Sequence, residues 1–227
     1  MVGKSPGKVK YICDHCGDIA SKWAGQCKQC GEWNSFTEMI AQDRRSLRVS
    51  KPSSAKRTKS SVLGDVSLDT FARSASGLFE LDRVLGGGLV AGSAILLGGD
   101  PGIGKSTLAL QCIGHLQHAQ QVLYVSAEES LQQIAMRAQR LGIDGADIHV
   151  LGENEVQLIT QHASDIGAQF LVADSIQTLF HAEVPSGPGS VAQVRECAST
   201  LVAFAKQSGC TVLLIGHVTK EGGIAGP

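Results

Sequence analysis

Gly99, Asp100, Pro101, Gly102, Ile103, Gly104, Lys105 and Ser106 stand in the order G-x-x-x-x-G-K-S. A loop of this composition wraps a phosphate with bare backbone N–H groups, and a side chain at the glycine positions would block that approach. Lys105 is placed to reach the β and γ phosphates, Ser106 to ligate magnesium and Thr107 to hydrogen-bond the α phosphate. The expected ligands are ATP and Mg2+. Hydrolysis needs further groups. The apolar run Phe170–Ala173 ends in Asp174, a carboxylate that is costly there unless it faces a cation or a polar cleft, so Asp174 is expected on the magnesium. Glu128 and Glu129 follow the apolar run Val122–Ser126, at the C-terminal strand edge where ligands of open α/β sheets collect. Glu128 is expected to be the base that orients the attacking water, with Glu129 the alternative. Either could instead be an acid in the first turn of the next helix. His217, just past Thr211–Ile215, is expected near the γ phosphate as a sensor, or else as a rim histidine without a role. Thr219 and Lys220 follow in a glycine-rich loop that could contact DNA.

A second chemistry is written near the N-terminus. Cys13-x2-Cys16-x10-Cys27-x2-Cys30 carries two thiolate pairs on two short knuckles, the spacing that closes a tetrahedral zinc site. Four sulfurs leave no open coordination position, so the Zn2+ is expected to be structural, and its binding energy would fold a module too small to fold alone. Trp23 and Trp33 are expected to pack over the metal site as its miniature core, with an aromatic platform for nucleic acid as the other reading. Cys112, Cys197 and Cys210 fall on apolar faces, where a cysteine acts as a small hydrophobe.

The elements that must hold these groups follow from periodicity. Ala94–Leu97 reads as a buried strand and Lys105–His118 as a helix with Leu108, Cys112, Ile113 and Leu116 on one stripe. Val122–Ser126 reads as a strand. Ser130 caps a helix whose face is Leu131, Ile134, Ala135, Ala138 and Leu141, ended by Gly142. His149–Leu151 and Phe170–Ala173 read as strands around a helix carrying Val156, Ile159, Ala163 and Ile166; a helix Val191–Gln207 and a strand Thr211–Ile215 complete the series. Strands alternating with helices imply crossover units and a mostly parallel sheet. No internal repeat is evident. The expected division is a four-cysteine module over residues 9–36, a basic linker over 37–61 and an α/β core over 62–227, which stops in a loop and is read as incomplete at its C-terminus.

Composition supports this division. The chain has 227 residues, 43% apolar and 18% charged, with a formal charge of −1, which excludes collagen-like, coiled-coil and wholly disordered chains. The balance is uneven: residues 1–60 hold 12 Lys/Arg against 5 Asp/Glu, and residues 61–227 hold 8 against 16. Seven of the basic residues lie between Arg44 and Lys59 with no acid among them, a solvated tether that could also touch a phosphate backbone. No stretch approaches the roughly 20 apolar residues of a membrane span, and no apolar signal core opens the chain, so a cytoplasmic protein without membrane contact is expected.

Taken together, the four cysteines, Trp23-Ala-Gly-Gln-Cys27, Cys30-Gly-Glu-Trp33-Asn34, Ser76-Gly-Leu-Phe-Glu-Leu-Asp82-Arg83-Val-Leu-Gly-Gly-Gly88, the phosphate loop, Val125-Ser-Ala-Glu-Glu-Ser130 and Gly216-His-Val-Thr-Lys-Glu221 resemble the RadA (Sms) family of bacterial DNA repair proteins. The likeness covers about residues 9–227. It implies a RecA-like P-loop ATPase core behind a zinc module, binding of single-stranded DNA and recombination intermediates, and branch migration of those intermediates. It also implies a RecA-type recombinase as partner and a hexameric ring in the full-length protein. The family's catalytic acid falls on Glu128-Glu129, its magnesium acid on Asp174 and its metal ligands on the four cysteines. Two family features are missing, the Lys-Asn-Arg-Phe-Gly motif and a Lon-like C-terminal domain. The rival reading is an adaptor that binds ATP as a clamp, with no motor activity.

Overall fold

The computed structural model describes residues 9–13, 17–40, 65 and 73–217, in two compact units that divide between Thr70 and Phe71.

The first unit is a three-stranded antiparallel sheet. Its centre is β1 (Val9–Cys13), flanked by β2 (Ile19–Ala20) and β3 (Phe36–Ile40). β3 pairs β1 along its whole length, from Val9 opposite Ile40 to Cys13 opposite Phe36, and so runs four residues into the span expected as linker. Cys13, Cys27 and Phe36 are its buried apolar residues, a core too small to offset chain entropy without a metal.

The second unit opens with a two-stranded pair, β4 (Arg73–Ser74) and β5 (Leu89–Val90), around the short helix α1 (Phe79–Val84). Five parallel strands follow: β6 (Ala94–Gly99), β7 (Val122–Ser126), β8 (Ile148–Leu151), β9 (Phe170–Asp174) and β10 (Thr211–His217). Their order is β6-β10-β9-β7-β8, so the last strand in sequence sits between the first and the fourth. The connecting helices are α2 (Lys105–Leu116), α3 (Leu131–Arg140), α4 (Val156–Asp165) and α5 (Val191–Ser208).

Side-chain alternation divides the central strands between two cores. Val122, Tyr124, Phe170, Val172, Leu213 and Ile215 pack with α2 and with Ile134 of α3. Leu123, Val125, Leu171, Ala173, Val212 and Leu214 pack with α4 and α5. Strands covered on both faces read as continuous apolar runs, which is why β7, β9 and β10 were legible as buried. The expected burial of Ala94–Leu97 is a correction: among the described residues β6 is one of the two edge strands, with β8 at the other edge, and Ala94, Leu96 and Gly98 are exposed.

The apolar stripe of α3 is also a correction. Ser130 caps it as expected, in a capping box with Gln133, but only Ile134 is buried. A groove lined by Leu110, Ile134, Ala138, Ile143, Ile148 and Val150 runs between α3 and β8; Leu131 and Ala135 are exposed, and Leu141 is half-buried against the α2-side core.

Candidate functional site

Parallel strands end on one edge, and register fixes which residues meet there. His217 lies opposite Gly99, Ile215 opposite Asp174, and Asp174 opposite Ser126. The tips of β6, β10, β9 and β7 therefore share one rim. Counting in twos from Phe170 and Leu213 puts Asp174 and His217 on the α2 side of the sheet, the side to which the phosphate loop crosses.

The loop itself has the geometry its glycines allow. Gly102 and Gly104 have φ of +79° and +105°, and nothing occupies the space where a Cβ would stand. Gly104 is the N-cap of α2 and offers no side-chain cap, so the first amides of the helix point outward without an internal acceptor. Such a terminus fits an anion. Lys105 is 7% exposed, and its Nζ donates to the carbonyls of Gly99 and Asp100, each at 2.8 Å. Ser106 and Thr107 follow in the first turn of α2, while Asp100, Pro101 and Ile103 are exposed.

Asp174 is held by a residue the sequence reading missed. The Tyr124 hydroxyl donates to Asp174 Oδ2 at 2.5 Å, and both groups are buried. Burial, then the Asp174 carboxylate, pushes the Tyr124 hydroxyl far above its ordinary range, so it stays a donor. The available signal was parity: Tyr124 carries the one polar side-chain atom in Val122–Val125, on the face shared with Asp174.

Glu128 stands at the same rim. Ser175 Oγ donates to Glu128 Oε1 at 2.5 Å, and His217 Nε2 lies 3.6 Å from that oxygen. Gln177 Nε2 donates to the His217 carbonyl at 3.3 Å. His217 Nδ1 is buried and has no hydrogen-bond partner among the described residues. Glu129 faces elsewhere. Its carboxylate is paired with Arg137 of α3, and its backbone N–H donates to Ser126 Oγ at 3.2 Å. The structure thus brings Glu128, Ser175 and His217 together and takes Glu129 to α3. Thr219 and Lys220 lie outside the described residues.

In the first unit, the Sγ atoms of Cys13, Cys27 and Cys30 lie within 4.8 Å of one another, and Cys13 Sγ is 3.7 Å from Cys30 Sγ. A tetrahedral site with Zn–S bonds of about 2.3 Å has sulfur–sulfur edges of about 3.8 Å, so the donor set fits zinc. Cys16 lies outside the described residues.

The knuckles also reveal a small repeat that the linear reading passed over. Gly17 N donates to the Cys13 carbonyl and Cys13 N to the Asp18 carbonyl, and Gly31, Cys27 and Glu32 repeat the pattern, all at 2.8 Å. Gly17 and Gly31 have φ of +76° and +75°. The signal was Cys-x-x-Cys-Gly followed by an acid, written twice. The expected packing of Trp23 and Trp33 over the metal site is not what the structure holds: they are 56% and 67% exposed, because Phe36 and the cysteines already fill the small interior.

Comparison with known proteins agrees with both units. The AAA domain family matches residues 59–223, and a rubredoxin metal binding domain matches residues 11–38. The DNA repair protein RadA of Haemophilus influenzae is 46% identical over the whole chain, and that of Escherichia coli 45%, each covered over 50% of its length. RadA of Bacillus subtilis is 44% identical over 97% of the chain and 49% of its own length. The chain thus spans about half the length of these relatives. In fold, it is similar to the crystal structure of a KaiC-like protein from Pyrococcus horikoshii, at a TM-score of 0.56 and 24% identity, covering 67% of this chain and 74% of that one. A parallel sheet with a phosphate loop at its rim, a sulfur cluster on a separate unit and the sequence likeness agree: the chain belongs to the AAA domain family, in company with the bacterial DNA repair proteins RadA.

Proposed function

We propose that the chain hydrolyses ATP in DNA repair and homologous recombination. The amides of the loop from Gly99 to Gly104 and the first turn of α2 hold the phosphates, and Lys105 leaves the Gly99 and Asp100 carbonyls for them. Ser106 and Asp174 hold magnesium, which supplies charge neutralisation at the phosphates. Glu128 takes the proton of the attacking water and orients it, with Ser175 fixing one carboxylate oxygen. His217, between Gly99 and Asp174 at the rim, is the group best sited to sense the phosphate and pass its presence to the residues after β10. Cys13, Cys16, Cys27 and Cys30 hold a structural Zn2+.

The observation that carries this reading is the meeting of Glu128, Ser175 and His217 at the tips of three strands, on the rim that also bears the phosphate loop. A clamp without turnover has no need of a carboxylate fixed there. The printed name of the RadA relatives supports the repair setting. From it we infer binding of single-stranded DNA and recombination intermediates, branch migration, a RecA-type partner, a hexameric ring and a cytoplasmic location. Among the described residues, no helix is long and apolar enough to cross a membrane.

ATPase assays with and without single-stranded DNA test the proposal. Lys105→Ala abolishes turnover. Glu128→Gln keeps nucleotide binding and slows hydrolysis by about 10²–10⁴-fold. Full turnover in Glu128→Gln would move the base to Glu129, and absence of DNA stimulation in a full-length relative would remove the coupling to DNA.

A further inference from the structure

The chain has two tryptophans, and both stand on the surface of the cysteine-rich unit. Their rings converge on one glycine. A methyl group on Gly25 would touch Trp23 Cη2 at 3.8 Å and Trp33 Cζ3 at 3.9 Å, so the two indoles flank a position that carries only hydrogen. The backbone fixes this arrangement. Asn34 N donates to the Gly25 carbonyl at 2.8 Å, Gln26 and Trp33 form an antiparallel bridge, and Gln26 Nε2 donates to the Gly31 carbonyl at 2.9 Å. Those contacts belong to the Cys27–Cys30 knuckle, so the sulfur cluster holds the rings in place. With the small interior already filled by Phe36 and the cysteines, the two indoles stand together outside it. Two exposed indoles side by side on one glycine make an aromatic patch of the kind that fits a recognition surface.

We propose that Trp23, Gly25 and Trp33 form a stacking platform for the unpaired bases of single-stranded DNA. Each indole offers a planar face, and stacking accepts any base because every base has a π face. The missing side chain at Gly25 leaves room between the rings. In sequence, Lys22 adjoins Trp23 and Lys28 follows Cys27, with Glu32 next to Trp33, and the stretch from Arg44 to Lys59 holds seven basic residues and no acid, a composition that suits a polyanion. A duplex has no free base face to offer. The identity of the polymer rests on the DNA-repair reading above; the platform itself does not depend on the phosphate site.

Because Trp23 and Trp33 are the only tryptophans, intrinsic tryptophan emission reports this surface alone. The experiment uses the zinc-loaded 227-residue chain without nucleotide, titrated with an oligo-dT strand, an abasic strand of equal length and a duplex. Oligo-dT is expected to quench the emission to saturation, and the abasic strand and duplex to leave it largely unchanged. Trp23→Ala and Trp33→Ala each weaken oligo-dT binding by about 5- to 100-fold, read by fluorescence anisotropy of the labelled strand, and Trp→Phe at the same position restores most of it. Zinc content is measured for every variant, and if a variant loses its zinc, the quenching of the unaltered chain decides alone. Absence of quenching by oligo-dT, equal quenching by the abasic strand, or a Phe variant no better than Ala would overturn the proposal. Lys105→Ala leaves the quenching intact, so a failure of the ATPase reading and a failure of the platform are separable.

Discussion

Removing one oxygen from the centre of the sheet is the sharpest probe of how Asp174 is held. Tyr124→Phe deletes the hydroxyl that donates to Asp174 Oδ2 and leaves the ring, which lies wholly inside the α2 core, as it was. Asp174 is 7% exposed, so water cannot readily take the donor's place. A hydrogen bond to a charged group contributes about 1.5–3 kcal/mol, and for a unit of this size each kcal/mol moves the midpoint of thermal unfolding by about 2–4 °C. The expected fall in Tm is therefore about 3–12 °C at neutral pH. Alkaline pH supplies an independent check. The folded pKa of Tyr124 lies above its ordinary value of 10.0, so the proton it keeps stabilises the fold fully below pH 10, and that contribution fades as pH rises past it. The unaltered protein should lose stability above pH 10 more steeply than the Phe variant. Calorimetry or circular dichroism across pH 7–11 reads both effects. A Tm within about 1 °C of the parent at pH 7, together with parallel alkaline limbs, would show that the hydroxyl does not support Asp174.

Other perturbations follow from the same geometry. Gly104→Ala meets no atom, so its cost is the left-handed backbone alone, about 1–2 kcal/mol; the protein should fold and bind ATP more weakly, as read by calorimetric titration. Gly77→Ala puts a methyl into the His115 side chain at a φ of +79° and should lower stability by more than about 1 kcal/mol in urea unfolding. A strong chelator should open four thiols to a disulfide reagent at pH 8, whereas Cys112, Cys197 and Cys210 should stay silent until the core unfolds, because burial pushes each thiol up to about 12. Reaction of all seven in the folded protein would contradict that assignment. The same three thiols lie above their unfolded value of 9.0, so their contribution is complete below pH 9 and declines as pH climbs toward 12.

Much of this architecture was legible because its signals are local. Glycine placement and the lysine marked the loop, twofold apolar runs marked β7, β9 and β10, and Ser130 with Gln133 marked the start of α3. What escaped depends on pairings distant in sequence. The stripe of α3 predicts burial only if a strand lies close beneath it, and a groove runs between α3 and β8. Ala94–Leu97 looked interior because apolar content does not say which strand is outermost. Tyr124 and Ser175 gain their meaning from strand order, which brings β7 against β9 across the 43 residues between Ser126 and Phe170, and no short window of sequence contains that. The different partners of Glu128 and Glu129, Ser175 for one and Arg137 for the other, likewise come from residues distant in sequence.

The insertion of β10 between β6 and β9 has a consequence for how the protein is made. The phosphate loop and the strand bearing Asp174 both precede β10 in the chain, yet neither borders the other; Thr211–His217 lies between them. A nascent chain that has emerged as far as Ser208 holds every phosphate-binding glycine and still lacks the ribbon that joins the two halves of its sheet. On the reading proposed above, competence to take nucleotide therefore waits for β10 to slide between its two neighbours.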